Sequence, residues 1–318
     1  MLFSFLKILA KLALRIYCRN IVISNSIMLH AKGPLLIAAN HPNSFLDAVI
    51  IATLFKQPVY SLTRGDAFKV TFIKRMLKAL HMLPVYRMSE GAENLQDNYI
   101  TFEACKEIFK QNGIVLVFSE GLCVNEWQLR PLKKGTARLA LQAWEAGIPL
   151  QVLPLGINYQ SFNSFGKNIQ LNLGTLFSQQ DILQSSYGKK IAVVNEQLTH
   201  QLKKLVVEID AADTEKIRQK FTIPVSTAKK MLLVIPALAG FLLHYPLYAV
   251  VKIFIAKQHF HPAHADSLKV CGLMIAYPFF LCAAAFVCWS IFGGWAAFII
   301  VCLLPFCAWS YVQLKPQF

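Results

Sequence analysis

The residues best suited to do chemistry lie together near the amino terminus, in Asn40-His41-Pro42-Asn43-Ser44-Phe45-Leu46-Asp47. A histidine followed six positions later by an aspartate can form a base with its orienter. The carboxylate fixes the imidazole tautomer and stabilises the imidazolium formed when a hydroxyl proton is taken. Spacing alone leaves a loop histidine capping a turn as the competing reading. The surroundings favour chemistry: no acidic residue precedes Asp47, and the next is Asp66.

Further along, three more ordered blocks follow: Leu83-Pro84-Val85-Tyr86-Arg87, Val117-Phe118-Ser119-Glu120-Gly121, and Val152-Leu153-Pro154-Leu155. With Asn40-His41 and Asp47 they resemble the glycerolipid acyltransferase family over Pro34 to Tyr159. That family acylates glycerol-3-phosphate and 1-acylglycerol-3-phosphate. The resemblance implies His41 and Asp47 as the catalytic pair, and Arg87, Ser119, Glu120 and Gly121 as acceptor-binding residues. Two positions depart from the pattern: five residues separate His41 from Asp47 where the family usually has four, and Ser119 stands where it has proline. The third block then runs Leu122-Cys123-Val124-Asn125-Glu126 rather than Thr-Arg, which leaves the acceptor open.

Arg87, Arg130, Lys133 and Lys134 supply the cations that a phosphate-bearing acceptor needs, Arg87 foremost because guanidinium binds phosphate bidentately. A solvated basic face, or contact with lipid phosphates, explains Arg130, Lys133 and Lys134 equally well. Glu120 is expected to organise these cations and the acceptor hydroxyls. The expected donor is acyl-CoA or acyl carrier protein, with no cofactor. A thiolate whose conjugate acid has a pKa of about 8.5 leaves with little acid assistance, so one base suffices and no covalent intermediate is required. The first expected acceptor is 1-acylglycerol-3-phosphate, then glycerol-3-phosphate or another lysolipid. The rival enzyme reading is a metal hydrolase built on His259, His261, His264 and Asp266; the expectation is that no metal is bound. A non-catalytic membrane scaffold is the other class, and it predicts tolerance of changes at His41.

These residues need a frame. Short apolar runs at Pro34 to Asn40, Pro58 to Thr63, Met82 to Tyr86, Ile114 to Phe118 and Gln151 to Tyr159 read as strands. Helical patterns at Phe45 to Phe55, Phe68 to Leu80, Asn94 to Gln111 and Gly135 to Ala146 alternate with them, and Leu183 to Lys220 reads as an outer helix. Such alternation predicts an α/β fold, an αβα sandwich on a largely parallel sheet, with His41 at a strand end where open sheets bind ligands.

The chain has 318 residues, is 55% hydrophobic and carries a formal net charge of +15; its mean hydropathy is +0.45. That is too apolar for an ordinary soluble enzyme. Lys7, Lys11, Arg15 and Arg19 recur every four residues among leucines, isoleucines and phenylalanines, which predicts an amphipathic helix in 1–30 at the membrane interface. The same pattern also suits a helix packed on the protein's own core. The catalytic domain is expected over 31–228 and a membrane region over 229–318. There, Pro236, Pro246 and His244 in Met231 to Val251, with lysines on both flanks, predict a re-entrant or interfacial hairpin. Val270 to Tyr311 has length for two spans of about 20 residues each, turning at Gly293-Gly294. Scattered cysteines without a disulfide framework point to a reducing, cytoplasmic catalytic domain on an integral protein of the cell membrane. So basic a surface seeks anionic lipids, and no nucleic-acid motif accompanies it.

Overall fold

The computed structural model describes residues 2–86, 95–182, 187–258 and 261–316. Strands β1 (Cys18–Ser24), β2 (Leu35–Ala39), β3 (Val59–Arg64), β4 (Met82–Val85), β5 (Ile114–Phe118), β6 (Gln151–Tyr159) and β7 (Lys167–Leu173) form one sheet in the order β1-β7-β6-β2-β5-β3-β4. All neighbours run parallel except β6 and β7. The central strands are continuous apolar runs, as parallel strands buried on both faces must be.

Helices cover both faces. On one side, Leu35, Ile37 and Ala39 of β2 pack with Leu14 and Tyr17 of α1 (Leu2–Tyr17), with Leu46, Ile50 and Ile51 of α2 (Ser44–Leu54), and with Val270. On the other, Leu36 and Ala38 meet Cys105 and Phe109 of α4 (Leu95–Lys110), Ala137 and Ala140 of α5 (Gly135–Glu145), and Leu198 and Leu202 of α6 (Tyr187–Leu205). Helix α3 (Thr71–Ala79) joins β3 to β4. The protein is thus the α/β sandwich its sequence predicts. In the register, Ala39 lies opposite both Phe118 and Leu155. The chain therefore leaves β2 and β5 side by side, and Asn40-His41 emerges next to Ser119-Glu120.

Three expectations are corrected. The amino-terminal helix stops at Tyr17, and Cys18–Ser24 pairs with β7, because the β-branched run Ile21-Val22-Ile23 suits a pleated surface better than a helix. Arg19 therefore leaves the helical basic face. It is buried and donates to the carbonyls of Val312 and Lys315. Helix α1 itself serves both of its readings, burying Ala10, Leu14 and Tyr17 while exposing Phe5, Ile8 and Leu12. The outer helix is two, α6 and α7 (Thr214–Phe221).

The third correction concerns the hairpin. Residues 227–257 form one unbroken helix, α8 (Thr227–Lys257), with Pro236 and Pro246 inside it. Each proline removes a single ladder bond, to the carbonyl of Leu232 or Leu242, and the helix runs through both. Close packing supports it: a Cβ added to Gly240 would lie 2.1 Å from the carbonyl oxygen of Cys307. Two further helices, α9 (Ala265–Phe292) and α10 (Gly294–Leu314), meet at Gly293, whose φ of 88° a residue with a side chain would adopt only under strain. All three are long and apolar enough to cross a membrane, and they expose side chains such as Leu232, Ile235, Phe279, Phe286 and Phe298. The chain is built for membrane association.

Candidate active site

His41 sits in the turn between β2 and α2, and its neighbours hold that turn from every side. Asn40 is buried and pairs with Ile157 in both directions, accepting its N–H at 2.7 Å and donating to its carbonyl at 3.0 Å. This fastens the end of β2 to β6. Ser44 adopts a left-handed φ of 51°. That conformation is uncommon for a residue with a side chain. The tight bend absorbs the five intervening residues, so His41 Nδ1 lies 2.9 Å from Asp47 Oδ2 despite the longer spacing.

Asp47 is completely buried, and three donors converge on it: His41 Nδ1, the Asn43 backbone N–H at 2.8 Å and the Tyr159 hydroxyl at 2.7 Å. A buried carboxylate held this way accepts only, which places a proton on Nδ1 and leaves the Nε2 lone pair free. Tyr159 stays a donor, since burial, followed by the Asp47 charge and the bond to it, pushes its pKa well above the ordinary phenol value. Phe118 stacks on the imidazole, with ring centroids 3.8 Å apart and planes 12° apart, and fixes its orientation. The arrangement can take a proton from a hydroxyl presented to Nε2.

Glu120 is buried beside this pair. Its carboxylate accepts the His41 backbone N–H at 2.7 Å and the Arg130 backbone N–H at 2.9 Å, and so ties the two loops together. Burial raises its pKa, against the lowering effect of those two bonds. The Arg130 side chain pairs with Glu126 at 3.0 Å. Ser119 is buried, with its hydroxyl 2.9 Å from that of Thr136. Gly121 has a φ of 67°, and an added Cβ would lie 3.0 Å from Lys133 Cγ. Lys133 and Lys134 are exposed where the loop enters α5. The structure therefore brings His41, Asp47, Glu120 and the Arg130 backbone together, and leaves both lysines at the rim. Arg87 lies outside the described residues.

The segment that departs from the family pattern has a visible task. Val124 N–H donates to the His41 carbonyl at 3.3 Å, Asn125 donates to that of Pro42 at 2.8 Å, and the Ser44 N–H points at Cys123 Sγ at 2.9 Å. These residues brace the histidine turn from above. Sequence reasoning missed them, and it missed Tyr159 and Asn43 as partners of Asp47. Tyr159 closes the fourth block's strand, and that placement was the available signal.

The histidine and aspartate cluster read as a metal candidate is committed elsewhere. His264 Nδ1 lies 2.7 Å from the Ser44 hydroxyl, and Asp266 accepts from Tyr17, Asn43 and Lys167. Among the described residues no group of three or more His, Cys, Asp or Glu is placed to hold a metal ion; His259 lies outside them.

Among solved structures, this chain is similar to the crystal structure of the 1-acyl-sn-glycerophosphate (LPA) acyltransferase, PlsC, from Thermotoga maritima. Identity is 14% and the TM-score 0.42, over 64% of this chain and 79% of that one. A likeness of that degree carries no argument about activity. Comparison with curated proteins gives no match. The family model described as Acyltransferase matches residues 20–158. Those residues include His41, Asp47, Glu120 and Gly121, so the part of the chain that is similar to the acyltransferase family contains the histidine turn and the loop that pairs with it.

Proposed function

We propose that this protein transfers a fatty acyl group from an acyl thioester to the free hydroxyl of 1-acylglycerol-3-phosphate at a membrane surface. The observation that carries the reading is the His41–Asp47 pair, with Nδ1 2.9 Å from the carboxylate at the mouth of the sheet. His41 Nε2 takes the hydroxyl proton as the acceptor oxygen attacks the thioester carbonyl carbon. The tetrahedral intermediate then collapses, the carbon–sulfur bond breaks, and the departing thiolate is reprotonated from the imidazolium. One thioester and one alcohol give one ester and one thiol. Asp47 and Tyr159 support the imidazolium, and no enzyme thiol takes part. Cys18 and Cys105 suit that reading, since burial pushes each thiol up to about 12.

Arg87, Arg130, Lys133 and Lys134 provide cations for the acceptor phosphate, as acyl-CoA or acyl carrier protein provides the donor. We infer the membrane arrangement from the attachments of these helices. Helix α8 begins just after α7, with Lys229 donating to Gln313 at 2.6 Å, and its Tyr248 ring lies 4.9 Å from Phe165 of the catalytic domain. The chain after α8 returns to the histidine turn through His264. Both ends of α8 thus adjoin the catalytic domain, so although its length would allow crossing, we place it along the interface with α1. Helices α9 and α10 are the two spans, leaving from and returning to that domain, with the catalytic side cytoplasmic and positively charged.

The test is an acceptor panel with purified protein, acyl-CoA and acyl carrier protein donors, and product identification by mass spectrometry. Acylated 1-acylglycerol-3-phosphate as the major product supports the reading. Preference for glycerol-3-phosphate would move the assignment to that acceptor, and ester formation with neither would refute it.

A further inference from the structure

The first turn of α9 enters the catalytic domain instead of stopping at its surface. Asp266 is 1% exposed. Its Oδ2 accepts from Asn43 Nδ2 at 2.8 Å and from Lys167 Nζ at 2.5 Å, and its Oδ1 from the Tyr17 hydroxyl at 2.5 Å; Lys269 Nζ stands 3.9 Å away. Ser267 is fully buried, and its hydroxyl accepts the Leu46 N–H at 3.1 Å while donating to the Asn43 carbonyl at 2.9 Å. His264 meets the Ser44 hydroxyl. Three residues of the turn between His41 and Asp47, namely Asn43, Ser44 and Leu46, are thus held by three residues at the start of α9, namely His264, Asp266 and Ser267.

The energetics make this more than incidental packing. Lys167 is buried inside β7, and a buried cation must be paired. Its Nζ also lies 5.5 Å from the Tyr159 ring centroid, on the side chain that donates to Asp47. The single Asn43 residue carries the connection: its side chain reaches Asp266, and its backbone N–H reaches Asp47. Asn43 makes both of these donor contacts, while its Oδ1 is buried without a hydrogen-bond partner among the described residues, so the connection runs through its N–H groups alone.

We propose that Asp266 and Ser267 are positioning residues for acyl transfer, setting the His41–Asp47 geometry through Asn43 and Leu46, so that the site is correctly formed only with the first turn of α9 seated. The proposal rests on the reading of His41 as base. Asn43→Ala and Ser267→Ala each remove loop contacts while leaving the Asp266–Lys167 pair intact. Each should lower kcat about tenfold, the worth of one or two buried hydrogen bonds, with donor and acceptor KM changed less than about twofold. In 15N-histidine-labelled protein in nanodiscs, the His41 Nδ1–H resonance, assigned by its loss in His41→Ala, should shift in both variants.

Asn43→Asp opposes two carboxylates and should cost more, and exchanging the pair in Asn43→Asp/Asp266→Asn should recover part of that loss. Wild-type kcat and an unmoved resonance in Asn43→Ala and Ser267→Ala would overturn the proposal. So would an exchange variant no better than Asn43→Asp alone, since a purely structural role predicts no rescue. Should the wild type transfer no acyl group at all while the resonance still shifts, the acyl-transfer reading fails and the positioning stands.

Discussion

Replacing Asp47 by asparagine separates two roles that a carboxylate combines. The native side chain accepts His41 Nδ1–H and the Asn43 N–H on Oδ2, and the Tyr159 hydroxyl on Oδ1. An amide can still satisfy all three. With its oxygen at the Oδ2 position it keeps the first two, while its NH2 group faces a hydroxyl that can turn to accept. The opposite orientation would point NH2 at the Asn43 N–H and is disfavoured. Asp47→Asn should therefore keep the imidazole tautomer and lose only the charge. With charge centres about 4 Å apart and an effective dielectric constant of about 20, that charge is worth about 4 kcal/mol to a full imidazolium. A half-formed imidazolium in the transition state loses about 2 kcal/mol, or about 30-fold in kcat. The assay is thiol release from acyl-CoA at saturating acceptor, with folding checked by thermal melting. A loss under about threefold would show that the charge does not support the imidazolium. A loss near 10⁴-fold, the cost of a wrong tautomer in a serine-protease triad, would show that the amide flips and the Asn43 N–H does not direct it.

Arg87→Ala should raise the acceptor KM about tenfold or more, the worth of a charge-assisted contact, with the donor KM little changed; equal effects on both would make Arg87 structural. Burial raises the pKa of Glu120, so its contribution to stability is greatest below the ordinary carboxyl value of 4.5 and is lost as pH rises through the raised value. The melting-temperature advantage of wild type over Glu120→Gln should accordingly be larger near pH 4.5 than at pH 7, and an advantage that grows with pH would contradict the assignment. In a background without other accessible cysteines, Ser290→Cys should react with an impermeant reagent from outside intact cells, and Gln258→Cys only after the cytoplasmic side is opened. Labelling of Gln258→Cys from outside would mean that α8 crosses the bilayer.

Much of this was legible in the chain. The strands at Ile114–Phe118 and Gln151–Tyr159 stand where their apolar runs ended, and the His41 turn lies between a strand and a helix as read. The local signals there all agree. What escaped was long-range. Strand β1 was masked by the helical period running into it from Leu2, and β7 by buried Lys167 and Asn168, polar residues whose partners, Asp266 and Phe221, lie far along the chain. Asp266 itself was visible as an acid entering an apolar stretch, a feature that marks function more often than structure in membrane segments. Its partners were not, because no spacing rule connects residue 266 to residue 43. The proline-containing α8 shows the converse limit: two prolines predicted a break, and packing against α10 kept the helix whole.

The central claim is that His41 activates the acceptor hydroxyl directly, with no acyl-enzyme on the way. The most direct measurement is rapid-mixing thiol release from acyl-CoA, with and without 1-acylglycerol-3-phosphate, in wild type and His41→Ala. The wild type should release one thiol per ester formed and show no burst without acceptor. His41→Ala, folded and membrane-bound, should be slower by about 10² or more, the usual worth of a general base. A stoichiometric burst without acceptor, or wild-type turnover in His41→Ala, would contradict the account.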